Sequence, residues 1–409
     1  MEIRYAKEEE IESIKEIWSY CFNDTESFMK YYFNDKYKSE NTVVALDEGK
    51  IISSLQLNQY KLLLNSKVYN TSYVVGVSTL PEGRGAGYMN KVMKFTLNEL
   101  YKKGQLVSIL MPIDYRLYRR FGYEHCYDQI EYTINTDDLK NFKSSGKMIK
   151  SNLSQIDDLI QIDRTFLNEV NGNVLKDEHY YENLFKEIQS EDGFLYIHEG
   201  NEKDGYIVYF LQEDKMFVRE LFYKNIDALK SMLKFIYNHN TQCKIVTIST
   251  PTIDKIRFIL DNPKDSDIKI KPFMMGRVIN VKKFIEDIDI ENDINSSFNL
   301  LIEDKFIDEN NGLFKISIQN KKVSVEQLDK KGAEKPQEDF DIKLDINTLT
   351  QLSFSYIDVN EAIFLNDIKD VSEETLETLN CIFSKKNNYI NEYISVSYTH
   401  LTLPTILLV

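Results

Sequence analysis

Three glycines, one arginine and one tyrosine carry the first chemical signal in this 409-residue chain. The stretch Val74-Val75-Gly76-Val77-Ser78-Thr79-Leu80-Pro81-Glu82-Gly83-Arg84-Gly85-Ala86-Gly87-Tyr88-Met89 runs from a β-branched segment, through a proline, into a glycine-rich turn. A helical pattern follows, with Val92, Met93, Phe95 and Leu97 among polar residues. Strand, glycine turn and helix start, in that order, aim bare backbone N–H groups at one point. Glycine lets backbone approach a ligand closely, and a helix N-terminus adds partial positive charge. A pyrophosphate is the natural guest. Two known phosphate cradles do not fit. A Walker loop needs Gly-Lys-Ser/Thr, whereas Tyr88-Met89 follows Gly87. A dinucleotide fingerprint begun at Gly85 needs glycine at position 90, which is Asn90. The bland alternative is a plain turn between strand and helix.

The segment Pro81-Glu82-Gly83-Arg84-Gly85-Ala86-Gly87 instead resembles the acetyl-CoA turn of the GNAT N-acetyltransferases, whose consensus is Arg/Gln-x-x-Gly-x-Gly/Ala. Arg84 and Gly87 match; the last position is Met89 rather than a small residue. A second segment, Tyr115-Arg116-Leu117-Tyr118-Arg119-Arg120-Phe121-Gly122-Tyr123-Glu124, follows the strand-like Leu106-Val107-Ser108-Ile109-Leu110. It is similar to the family's Tyr-x-x-x-Gly-Phe-like segment. That resemblance gives Tyr118 the role of general acid toward the departing CoA thiolate. The alternative is one amphipathic tyrosine among the 26 of the chain.

Composition bounds the rest. Apolar residues make up 42% and charged residues 28%, ordinary for a globular protein, and the length suits two or three domains. No run of 18 apolar residues and no signal-peptide core is present, so neither a membrane span nor secretion is expected. The net charge of −15 argues against a nucleic-acid partner and suits a small cationic substrate. Cys21, Cys126, Cys243 and Cys381 are far apart, and the five histidines are scattered. That pattern predicts a reduced, cytoplasmic protein with no metal site. Cys126 beside His125 reads as an edge-strand pair.

Residues 1–140 read as the first unit. Ile11, Ile14, Ile17, Trp18 and Cys21 form an amphipathic helix, followed by the aromatic cluster Phe22, Phe28, Tyr31, Tyr32 and Phe33. Strands are expected at 42–46, 51–57, 60–64, 71–80 and 105–112, with a hairpin turn at Asp47-Glu48-Gly49-Lys50. Residues 141–285 read as a distant echo of that order: helix 156–170, strands 193–198, 206–211 and 216–223, helix 225–237, strand 243–249. At the point equivalent to the glycine turn stands Tyr223-Lys224-Asn225-Ile226-Asp227-Ala228, with no glycine or arginine to admit a pyrophosphate. The string Met275-Gly276-Arg277-Val278-Ile279-Asn280-Val281 closes this unit, and an acidic linker, 286–293, follows. Residues 286–394 form the last unit, sheet first and helices after, so the fold class is α+β.

This order resembles the Eis (enhanced intracellular survival) family: a GNAT fold, a degenerate GNAT fold and a sterol-carrier-protein-like domain. The resemblance implies direct acetyl transfer from acetyl-CoA to a primary amine of aminoglycoside, polyamine or lysine type, in a homo-oligomer, specifically a hexamer. It implies that Val77, Ser78 and Thr79 polarise the thioester carbonyl through backbone N–H groups. Arg84, Gly85, Ala86, Gly87, Tyr88 and Met89 would hold the pyrophosphate. Trp18, Phe22 and Phe28 are candidates for an aromatic amine pocket, with core packing the competing role for each. Two other functions stay open: a lipid or ligand carrier working through the last domain, and a protein lysine acetyltransferase.

Residues 395–409, Ser-Val-Ser-Tyr-Thr-His-Leu-Thr-Leu-Pro-Thr-Ile-Leu-Leu-Val, contain no charge in a chain that is 28% charged. They resemble a translated sequencing adapter and read as a non-native tail, with a hydrophobic C-terminal strand as the alternative. The Eis resemblance makes the chain's own C-terminal carboxylate the general base. That places the base near Ile394, displaced here by the tail.

Overall fold

Paired left-handed residues set the meander at the start of the chain. Glu48 (φ +47°) and Gly49 (φ +84°) turn one hairpin, and Asn65 (φ +53°) and Ser66 (φ +66°) turn the next. Two consecutive positive φ values match the right-handed twist of flanking strands. In the computed structural model, which describes residues 1–22, 24–292, 294–329 and 340–393, these turns join β2 to β3 and β3 to β4. Ile394 and residues 395–409, with the expectations attached to them, lie outside the described residues.

The first unit comprises β1 (Glu2–Tyr5), α1 (Ile11–Cys21), α2 (Glu26–Tyr31), β2 (Thr42–Asp47), β3 (Lys50–Leu64), β4 (Lys67–Thr79), α3 (Tyr88–Lys102), β5 (Val107–Leu110), α4 (Tyr115–Arg119) and β6 (Glu124–Asn135). The second comprises β7 (Lys147–Lys150), α5 (Ile156–Phe166), β8 (Asn173–Val174), α6 (Glu178–Ser190), β9 (Phe194–Glu199), β10 (Lys203–Gln212), β11 (Lys215–Tyr223), α7 (Ile226–Tyr237), β12 (Ile245–Thr250) and β13 (Asp267–Val278). The third holds α8 (Val281–Glu286), β14 (Ser296–Glu303), β15 (Gly312–Gln319), β16 (Lys322–Asp329), β17 (Ile342–Asp345), α9 (Ile346–Ser353), α10 (Val359–Leu365) and α11 (Glu373–Ile382). Two mixed sheets with helices on them make the α+β class expected from the sequence.

Two stretches differ from that reading. The expected strands 51–57 and 60–64 are one strand, β3, because the polar break between them is absorbed. Gln59 bonds Ser72 across the ladder at 2.9 Å, and Asn58 accepts from the Tyr32 hydroxyl at 3.1 Å. Cys126 is not on an edge strand. It lies fully buried in β6, between β13 and β12.

That position of β6 reflects an exchange of strands. The large sheet runs β1-β2-β3-β4-β5-β13-β6-β12-β11-β10-β9-β7, with β8 paired to β3. β13, from the end of the second unit, is inserted antiparallel between β5 and β6 of the first. β6 in turn lies against β12 and extends the second unit's strands. Each half therefore buries a strand of the other. In each half a helix crosses between two parallel strands: α3 from β4 to β5, and α7 from β11 to β12.

The third unit, a four-stranded sheet ordered β16-β15-β14-β17 with its helices, is clamped onto this seam. Arg277 of β13 and Asp304, just past β14, are both fully buried and meet at 2.8–2.9 Å. Asp304 also accepts from the amides of Phe306 and Ile307 and from Asn310 Nδ2. Gly122 (φ +80°) sits so close that a Cβ there would overlap the guanidinium. The Gly122 of the tyrosine segment is thus explained by this packing. Breaking a buried ion pair leaves an uncompensated charge. Asp304→Ala should therefore cost ~3–5 kcal/mol, read from urea unfolding. The double replacement Arg277→Met/Asp304→Leu should cost much less; equal losses would mean that packing, not charge, is the issue.

Candidate functional site

β4 and β5 run parallel only as far as Val74 and Leu110. Beyond them β5 ends, and β4 continues to Thr79 with no strand on that edge. The backbone groups of Val75–Thr79 on this side are open to a ligand. The strand also bulges here. Ser54 faces Ser78 and Gln56 faces Val75, so Gly76 and Val77 together oppose the single residue Leu55. Gly76 takes φ +57°, and a Cβ on it would overlap the Trp18 ring and Gln56 Oε1. Oriented to satisfy its hydrogen bonds, the Gln56 amide donates to the Val75 and Gly76 carbonyls at 3.2 and 3.3 Å. Gly76 was not assigned a role from sequence, although a glycine inside a β-branched strand is itself a bulge signal.

The glycine turn then delivers α3 to the mouth of this cleft. Pro81–Gly83 form a 3₁₀ turn, Gly85 has φ +77° and Gly87, the N-cap, has φ +79°. A Cβ on Gly85 or Gly87 would meet no atom within 4 Å, so both glycines serve the backbone conformation. The first N–H groups of α3 have no intrahelical partner. Arg84 is exposed and bonds back to the Thr79 carbonyl at 3.3 Å. Tyr88 directs its side chain into the core under the helix, so its contribution to a bound anion is its backbone. Met89 meets Arg120 at 3.8 Å. Ser78 is held by Ser54 at 3.0 Å, while Val77 and Thr79 are half-buried.

Tyr118 lies in the same apolar cluster as Val74, Leu110 and Tyr88. Its side chain is 7% exposed, and its hydroxyl makes no hydrogen bond among the described residues. Burial, with some help from Tyr123, pushes its pKa up to about 12. It is a protonated, uncommitted donor at neutral pH.

On the opposite face of β4, Trp18 stacks with Phe22 (ring centroids 5.0 Å) and Tyr32 (4.6 Å), and donates to Asp24 at 2.8 Å. Phe22 is half-buried, and Phe28 is fully buried behind Tyr32. The second unit faces this cluster with acid. Tyr31 donates to Glu187 at 3.4 Å, and Arg219 donates to Glu187 at 2.6 Å. Burial, then Glu187 and more weakly Asp24, push the half-buried Glu191 up to about 8 despite Arg219. Glu187 and Glu191 lie more than 100 residues beyond Trp18, and no local pattern linked them to it. A cleft of about 500 Å³, lined by His125, Asp128, Tyr356, Phe364 and Lys386, opens elsewhere and contains none of these residues.

Comparison with known proteins identifies the units. Residues 2–126 match a model described as acetyltransferase (GNAT) domain, and residues 172–278 match a second one. The chain belongs to the GNAT N-acetyltransferases. Residues 281–391 match a sterol carrier protein domain. Two GNAT folds followed by a sterol carrier domain form the Eis-type arrangement. No curated protein matches the sequence. Similar solved structures include a protein from Enterococcus faecalis described as a probable N-acyltransferase (TM-score 0.82, 21% identity, 96% of this chain and 99% of that one). A GCN5-related N-acetyltransferase from Anabaena variabilis is alike (TM-score 0.81, 21% identity, 96% and 99%). Eis1 from Mycobacterium abscessus follows (TM-score 0.72, 13% identity, 96% and 100%). Among the described residues no helix is long and apolar enough to cross a membrane.

Two outcomes follow from this GNAT geometry. Trp18 is the single tryptophan of the chain, so its fluorescence reports on the bulge. Gly76→Ala should shift that emission, cost ~1–3 kcal/mol by overpacking and raise the KM for acetyl donor; an unchanged spectrum with normal kinetics would contradict the packing described. The second outcome concerns pH. An unfolded glutamate titrates near roughly 4.3, so between there and about 8 the native Glu191 keeps a proton that the unfolded chain has released. Stability is full below that window and falls as pH rises through it. Glu191→Gln should flatten the fall in urea midpoint between about pH 5 and about pH 9; an equal fall in both proteins would refute it.

Proposed function

We propose that this protein transfers the acetyl group of acetyl-CoA directly to a primary amine on a cationic small molecule of polyamine, aminoglycoside or lysine type, in the cytoplasm. The observation that carries the reading is the splayed, bulged β4 edge with a glycine turn and the start of α3 at its mouth. Acetyl-CoA supplies the thioester. The chain's residues do the rest.

Backbone N–H groups of Arg84 through Met89 hold the pyrophosphate, because the positive φ of Gly85 and Gly87 turns the backbone toward it. Backbone N–H groups of Val77, Ser78 and Thr79, on the part of β4 beyond its pairing with β5, polarise the thioester carbonyl and stabilise its developing negative charge. The amine enters from the Trp18 and Phe22 side. Aromatic faces attract an ammonium, and Glu187 and Asp24 add negative potential. Phe28 backs that layer. The amine must lose a proton before it attacks. The base assigned is the carboxylate of a chain ending near Ile394. Its support is the segment 388–392, which is buried and meets Arg219 of β11 and Tyr73 of β4. Tyr118 gives its proton to the departing sulfur.

Thiol release from acetyl-CoA against a panel of polyamines, aminoglycosides and lysine peptides tests the reading. Tyr118→Phe should lower kcat by roughly 10²–10⁴-fold with the acetyl-CoA KM near wild type. Unchanged turnover would return Tyr118 to a packing role. No release with any amine would sink the proposal.

A further inference from the structure

The second GNAT fold has kept the shape of a cofactor cleft. Val218 and Ile248 are the last residues paired between β11 and β12, as Val74 and Leu110 are between β4 and β5. Counting from these pairs, Arg219 stands where the first fold has Val75, and Glu220 where it has Gly76. β11 also bulges just past its split, slightly nearer to it than the bulge of β4: Val208 faces Glu220 and Tyr209 faces Val218, with Arg219 as the extra residue. The Gly76 position, where the Trp18 ring packs against bare backbone in the first fold, carries a carboxylate side chain in the second. The Glu220 carboxylate is fully buried, with Lys176 at 3.1 Å and the Tyr206 hydroxyl at 2.7 Å. Burial alone would raise its pKa; Lys176 and Arg219 outweigh that and hold it below the usual range.

What lies across this second cleft is the chain itself. Asn391 Nδ2 donates to the Arg219 carbonyl at 2.8 Å, at the bulge. Tyr393 bonds Ser249, the first residue past the β11–β12 pairing, and donates to Gln129 Oε1 at 2.9 Å. Gln129 Nε2 donates to the Ile390 carbonyl at 3.0 Å and to Asn391 Oδ1 at 3.2 Å. The strap then crosses to the first fold, where Tyr73, one residue before the β4–β5 split, donates to the Glu392 carbonyl at 3.1 Å. Tyr180 donates to the Glu392 side chain at 2.9 Å. Residues 389–392 are all buried.

We propose that the second GNAT fold uses its vestigial cleft as a dock for the strap 387–393, and that Gln129 and Asn391 are positioning residues for transfer at the first fold. The inference rests on the reading that a group carried by the strap acts on the amine. Neither residue touches the reacting atoms. The Asn391 bond takes the place of a backbone contact that a cofactor would make to β11, and Gln129 holds Ile390, Asn391 and Tyr393 in line with it. A reactive group displaced by about 1 Å can lose roughly 10² in rate, so these bonds set turnover rather than cofactor affinity.

The test uses the protein both full-length and ending at Ile394, each with Asn391→Ala, Gln129→Leu and the double variant, beside a deletion of everything after Ile390. The expected result is faster amide exchange at 387–393, kcat down by about 10²-fold and an acetyl-CoA KM within about twofold of wild type. Because both side chains act through one strap, the double variant should be no worse than the poorer single one. Wild-type exchange in the strap overturns the dock. Faster exchange with normal kcat, while the deletion abolishes turnover, also overturns it and leaves the strap's catalytic part standing. Normal turnover in the deletion instead removes the reading on which it rests.

Discussion

The buried pair Arg277–Asp304 sits where all three units meet. Arg277 lies on β13, the strand that the second half lends to the first, and Asp304 begins the loop after β14. A guanidinium and a carboxylate at zero exposure gain little over apolar residues of equal size, yet either alone is severely unfavourable. The pair therefore acts as a register lock. It fixes β13 between β5 and β6, holds the sterol carrier domain against that seam, and forbids a side chain at Gly122. That glycine lies just past the short helix bearing Tyr118, so the same lock reaches that tyrosine.

Strand exchange has a second consequence. Neither GNAT fold has a sheet of its own, since β6 is shared and β13 is inserted. The two clefts are thereby held on one continuous surface, where a single extended segment can touch both. Its polar atoms are used at nearly every step: Asn388 with Asn171 and the Cys126 carbonyl, Ile390 and Asn391 with Gln129, Glu392 with Tyr73 and Tyr180. Buried backbone of irregular shape persists only when its donors and acceptors are matched in this way. The tyrosine-rich composition has a plain use here, since a tyrosine brings apolar bulk and one hydrogen-bonding group to the same place.

The aromatic and acidic cluster around Trp18 is built by contrast from residues far apart in sequence. Trp18 and Asp24 come from the first unit, Glu187, Glu191 and Arg219 from the second. Burial first, and the neighbouring charges of Glu187 and Asp24 after it, make Glu191 hold its proton toward neutrality. A pocket of this kind favours an incoming cation over an anion before any specific contact is made.

The glycine turn, its helix, the echoed order of helices and strands and the closing sheet-then-helix unit were legible in sequence because each is local: periodicity, caps and turn residues act within a few positions. The family resemblance read from Arg84 to Met89 and from Tyr118 to Gly122 rests on such strings. The sequence alone did not show that β13 joins β5 to β6, that Cys126 is central, or that Glu220 occupies the place of Gly76. It also did not show that Asn391 meets Arg219 across 172 residues. Those are pairings between distant segments, where hydrogen-bond matching and burial choose one partner among many, and no short pattern encodes the choice. The chain by itself specified one glycine turn and one copy of the fold without it; the tertiary structure decided that residues 389–392 lie against that second copy.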